Sequence, residues 1–147
     1  MIPTKLLHPT MRFAGQMISQ CGVVEHSFNT SAQTFRLVEA TVTDVQAALA
    51  SGQITCRELV QRYLDRIEAY DQSGPALNAI QHVNPSALER AESLDTTFVE
   101  SGPIGPLHCI PVLLKDQVET RVMPTTYGSA LFDGFVSGRD ATIVTRM

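Results

Sequence analysis

A lysine and an aspartate, Lys115 and Asp116, end the apolar run 110–114 within "LHCIPVLLKDQVET". An ammonium delivered from an apolar strand sits where loss of water disfavours its charge. A lysine kept neutral in that way can take a proton from a nucleophile. The plainer alternative is that Lys115 lays its stem over apolar surface and leaves its ammonium in water. Asp116 reads either as an ion-pair partner or as an ordinary turn-forming acid.

Other residues carry weaker signals. His108 and Cys109 are neighbours, and on a strand neighbouring side chains face opposite ways. They are therefore not expected to form a nucleophile–base pair, and Cys109 is expected to be a buried structural cysteine. His82 has no second ligand nearby and reads as structural. Thr125, Thr126, Gly128 and Ser129 could hydrogen-bond a site or satisfy their own loop, which is the commoner use. There is no GxSxG elbow, Walker motif, GxGxxG or HExxH. The 3 cysteines, Cys21, Cys56 and Cys109, are odd in number and have no CxxC spacing. That pattern argues against a disulfide framework and a zinc site, and for a reducing compartment. No metal or cofactor is expected.

The elements that must position Lys115 follow from local patterns. "TVTDVQAALASG" places Thr43 and Gln46 at capping-box spacing and stops at Gly52. "ITCRELVQRYLDRIEAYD" repeats the pattern with Thr55 and Glu58, and Leu59, Tyr63, Ile67 and Tyr70 form a helical stripe. The charged opposite face reads as solvated. "SGP" at 73–75 breaks the chain. Alternation over 77–83 suggests a short strand. Asn84 and Pro85 are expected to start a helix striped by Ala87, Ala91, Leu94 and Phe98. The apolar run through 107–114 suggests a strand buried on both faces, with Pro111 favouring an edge, bulge or end. Asp140 is expected to cap a last short helix.

The chain has 147 residues, 44% apolar and 18% charged, with a formal net charge of −4. This suits one small soluble domain and gives no basic footprint for nucleic acid. No apolar run reaches the ~20 residues of a membrane span. Residues 1–38 contain Lys5, Arg12 and Arg36 but only the single acid Glu25. Residues 1–36 are expected to be a disordered or weakly ordered extension, compatible also with a mitochondrial transit segment.

Taken in order, "ITCRELVQRYLDRIEAYD", "LNAIQHVNPSALERAESLD" and "GPLHCIPVLLKDQVETRVMPTTYGSALFDG…DATIV" resemble the N-terminal portion of an amidase signature family enzyme. The likeness runs through 37–147. It implies an α/β fold, here the helices and first strands of a central mixed sheet. It also implies a Ser–cis-Ser–Lys triad that hydrolyses carboxamide C–N bonds through an acyl-enzyme. By motif position Lys115 would be the catalytic lysine, and the substrate a small-molecule amide. Cys109 stands where the family run has glycine, Gln117 where asparagine is usual, and Tyr127 where a small residue is common. The Gly/Ser-rich run that carries both family serines is not found in this sequence. The resemblance therefore implies a truncated N-terminal part, inactive alone, and the cysteine pattern suits a cytoplasmic location. The rival reading is a non-catalytic interaction module, or half of a split amidase whose partner is the C-terminal half.

Overall fold

A computed structural model describes residues 34–147. The expected extension 1–36 falls mostly outside the described residues. Phe35 packs against the core, and its carbonyl accepts from the Arg62 guanidinium at 3.3 Å.

Helix α1 spans Val42–Ala50, and its cap is Thr41 rather than Thr43. The Thr41 hydroxyl accepts from the Asp44 N–H, while the Asp44 carboxylate accepts from the Thr41 N–H. Two capping boxes overlap in this sequence. The one with a carboxylate at its third position forms, because that charge also complements the positive helix end. Helix α2, Cys56–Ile67, starts at the expected Thr55 and Glu58 box. It runs on into a π-helical turn, Glu68–Gln72. Gly74 ends this turn at φ 54°, where an added Cβ would stand 2.6 Å from the Ala69 carbonyl oxygen.

Helix α3 spans Ala87–Ser101 and starts later than Asn84 and Pro85 imply. Asn84 instead builds a turn, its side-chain oxygen accepting from the Ser86 N–H at 3.0 Å. Only Ala91 of the expected stripe is fully buried. The last helix, α4, is the single turn Thr142–Thr145, and Asp140 does not cap it. Asp140 accepts from the Arg121 N–H at 2.8 Å instead.

The core joins α1, α2 and α3. Val45, Ala48 and Leu49 meet Ile54, Cys56 and Leu59, with Ala91 from α3 and Cys109 from the following loop. Leu59 is wholly buried. Asp95 of α3 reaches across to the start of α2, where it accepts from the N–H groups of Cys56 at 2.7 Å and Arg57 at 3.0 Å. Those are donors that a helix leaves unsatisfied at its first turn. Buried Asp71 fixes the next loop, accepting from the N–H groups of Ala79 and Ile80 and from the Gln72 amide.

Among the described residues no strand ladder forms, at 77–83 or at 107–114. Over 107–110 the reason is local. His108 and Ile110 donate back to Gly105 and Leu107 in turns, and Cys109 has φ 63°. That angle lies far from a β pleat. A second correction concerns the cysteines. Cys56 and Cys109 form a disulfide with their Cα atoms 5.2 Å apart. Their separation of 53 residues hides this pairing from any local spacing rule. Among the described residues, no helix is long and apolar enough to cross a membrane.

Candidate functional site

Lys115 lies along an open groove of about 590 Å³. One wall is α2, with Val60, Tyr63, Leu64 and Ile67, and the facing segments are 79–84 and 111–118. The groove exists because α2 spends one face on the core and presents the next to the irregular chain after Cys109. Lys115 itself is exposed. Among the described residues it makes no salt bridge. The dry surroundings expected for it are therefore not built by the described residues. Leu113 is 77% exposed and Val112 47%, so the run leading to Lys115 shows apolar side chains to solvent.

Asp116 is neither an ion-pair partner of Lys115 nor a free turn residue. Its carboxylate accepts from the Thr126 N–H at 3.1 Å and the Thr126 hydroxyl at 3.0 Å. The Thr126 N–H, first of all, holds the Asp116 carboxyl below its usual range. Burial opposes this, and the Thr126 hydroxyl and the amides of Tyr127 and Gly128 add to the lowering. Thr126 also accepts from the Gly128 N–H at 3.1 Å. The cluster at 125–129 thus satisfies its own loop, and it also anchors the residue that follows Lys115. Thr125 is wholly buried, its hydroxyl lacks a hydrogen-bond partner among the described residues, and its N–H donates to the Phe135 carbonyl at 2.9 Å. Ser129 caps the short 3₁₀ turn Ala130–Phe132.

Downstream, the chain is clipped back on itself. Glu119 pairs with Arg139 at 2.7 Å, and its carbonyl accepts from the Ala141 N–H at 2.9 Å. Arg121 and Asp140 stand 3.6 Å apart. These contacts fix the exit from Lys115 as Asp116 and Thr126 fix its first step. They join residues about 20 positions apart, which no local spacing pattern signals.

The pH dependence of this anchor has a definite sign. A carboxyl lowered on folding stabilises the fold above its unfolded value of ~3.9. That contribution is lost as pH falls through the lower folded value. The 116–128 loop is therefore expected to stay closed at pH 5 and to open only below about pH 4. Amide exchange at Thr126 followed against pH checks this, and Asp116→Asn should weaken protection already at pH 7. An opening midpoint above pH 5 in the unsubstituted chain would contradict the assignment.

His82 is exposed and stands on the groove wall. His108 and Cys109 are both buried, as expected for Cys109. They do not point apart, however. The φ of 63° at Cys109 turns both side chains into one cluster, with His108 Nε2 4.0 Å from Cys56 Sγ. Cys109 and Tyr127, two of the positions where the sequence departs from the family run, both have positive φ, 63° and 54°. That region favours glycine.

The Amidase family profile matches residues 58–147. A glutamyl-tRNA(Gln) amidotransferase subunit from Acidothermus cellulolyticus is 35% identical over 112 residues, which is 76% of this chain and 22% of that protein. A probable amidase of Arabidopsis thaliana is 38% identical, covering 78% of this chain and 22% of its own length. In solved structures, native peptide amidase from Stenotrophomonas maltophilia aligns with a TM-score of 0.73 at 40% identity, over 76% of this chain and 23% of that one. An amidase family protein from Bacillus anthracis gives a TM-score of 0.71 at 38% identity, over 75% and 22%. The chain thus spans 22% of the length of the curated relatives it matches. With the profile matching more than half of the chain, the segment around Lys115 included, the chain belongs to the amidase family.

Proposed function

We propose that this chain supplies the base of an amide-hydrolysing centre, with Lys115 as that base. The observation that supports the reading is the family match through 58–147, a range within which Lys115 and Asp116 fall. Lys115 lies on the groove, and the anchored Asp116 fixes the backbone beside it. A serine hydroxyl is a poor nucleophile until a base removes its proton. Acyl transfer also needs donors for the oxyanion. In this reading both serines and the oxyanion donors come from further amidase-family sequence, and the α/β sheet of the family forms there. The exposed Val112 and Leu113 support such a cover. It belongs either to the same polypeptide or to a separately encoded half. The substrate is a small-molecule amide, and the setting a cytoplasmic one.

Residues 1–147 by themselves are expected to hydrolyse no simple amide. Ser129, the first serine after Lys115, has its hydroxyl committed to the Leu131 N–H at 3.3 Å. Turnover by the purified chain that vanishes in Ser129→Ala would sink this assignment. A chimera tests the positive side. Residues 34–147 replace the matching region of the Stenotrophomonas maltophilia peptide amidase, which is 40% identical where it aligns. The chimera should hydrolyse the parent enzyme's own substrate, and a folded chimera with no turnover would count against the reading.

A further inference from the structure

The cluster of Cys56, His108 and Cys109 lies outside the Lys115 groove and has no part in the proposed reaction. All three side chains are buried, and their ligand-type atoms lie within 4.8 Å of one another. Two chemistries fit such a set, a soft metal ion or a thiol–disulfide couple. The hydrogen bonds separate them. The Ile104 N–H donates to His108 Nδ1 at 3.4 Å, so Nδ1 holds the lone pair. The proton of the neutral ring is then on Nε2, the nitrogen facing Cys56 Sγ at 4.0 Å. An N–H aimed at sulfur stabilises a thiolate and cannot ligate a metal. The two sulfurs, moreover, are bonded to each other.

We propose that Cys56 and Cys109 are a reversible thiol–disulfide couple, reduced by a dithiol, whose oxidised form fastens the loop leading to Lys115 onto the start of α2. In reduction, a thiolate of the dithiol attacks Cys109 Sγ and the Cys56–Cys109 bond breaks. Cys56 leaves as a thiolate that accepts the His108 Nε2–H. The second thiolate of the dithiol then displaces Cys109 and closes the reductant's own disulfide. Two electrons and two protons pass from the dithiol to the pair. His108 is the donor that matters at Cys56. The helix end contributes little, because Asp95 already takes the N–H groups of Cys56 and Arg57. The Asp95 carboxylate opposes the thiolate, which makes the His108 donor the more necessary.

Oxidation also accounts for the backbone at Cys109. A residue with a Cβ is strained at φ 63°, and the cross-link across 53 residues offsets that strain. Reduction removes the offset and leaves the strain. Only 1% of Cys56 and 5% of Cys109 is exposed, so a reductant reaches them when the 104–109 loop opens. The contacts that hold the loop shut are the Gln46 side chain on the Pro106 carbonyl at 2.6 Å and the His108 ring stacked on Phe98.

The test uses the full chain with Cys21→Ser, so that only this pair titrates. The protein is equilibrated with oxidised and reduced dithiothreitol at set ratios, blocked with a maleimide, and weighed. Expected is one cooperative two-electron step between no and two blocked cysteines, retraced on reoxidation, with native circular dichroism throughout. Fragment mapping of the unsubstituted chain should recover the Cys56–Cys109 link if the variant folds poorly. Cys109→Gly should lower Tm by about 5 °C or more against the oxidised chain and leave it equal to or above that of the reduced chain. Two free cysteines at every ratio, or a link that opens only on unfolding, would overturn the proposal. So would stoichiometric zinc or copper(I) uptake by the reduced protein against a chromophoric chelator, which would make the cluster a metal site.

Discussion

Replacing Lys115 with alanine in the peptide amidase chimera is expected to lower kcat by ~10²–10⁴-fold, the range for removal of a positioned general base. Within residues 34–147 the fold should be untouched, because Lys115 is exposed there and has no ion pair among the described residues. Surface changes of this kind usually move stability by no more than about 0.5 kcal/mol. Lys115→Arg should be nearly as damaging, since a guanidinium stays protonated at every pH the assay can use. The two variants together separate charge from basicity. An arginine variant near the parental rate would remove the base role and leave Lys115 as a cation that orients substrate. Steady-state rates at saturating substrate, with circular dichroism as the control for folding, read the result.

Leu59→Ala should cost about 2–5 kcal/mol of stability, the range for truncating a fully buried leucine. Leu59 is 0% exposed and sits where α1, α2, α3 and the Cys109 loop converge. Its removal leaves a cavity in the cluster that includes Cys56 and Cys109, whose link restrains the surrounding chain and limits collapse into the space. A urea melt of the oxidised chain measures the loss. A change below about 1 kcal/mol would mean that Leu59 is not the centre of this core. Val99 is 86% exposed, so truncating it should have little effect in the same assay.

What could be read in advance, and what could not, follows the range of the interactions. The Thr55 and Glu58 box set the start of α2 because both partners lie within one turn. The Gly74 break was equally local. Thr41 and Thr43 offer competing boxes at the start of α1, and only the Asp44 carboxylate decides between them. Asn84 and Asp140 carry capping chemistry, yet each uses it elsewhere, in a turn and on Arg121. The apolar texture of 107–114 suggested a strand, but a strand is completed by partners, and Cys109 turns the backbone out of the pleat. The Cys56–Cys109 link and the Asp95 cap of α2 join residues dozens apart and left no periodic trace. Lys115 stands out in the sequence through its motif, and it lies on the groove. Its anchor is half legible, since Asp116 and Thr126 each carry a local signal and their pairing across 10 positions carries none.

The base role of Lys115 is tested most directly by chemical rescue. The Lys115→Ala chimera is assayed with added ethylamine over a range of pH, at constant ionic strength. If Lys115 acts as a base, ethylamine restores turnover in proportion to its unprotonated fraction. The restored rate then climbs with pH toward ~10.4, the ordinary value for an alkyl ammonium such as lysine's. Guanidinium at the same concentration should restore nothing. A rate that follows the ammonium form, or that guanidinium restores equally well, would show that the site needs a positive charge at position 115 and not a base.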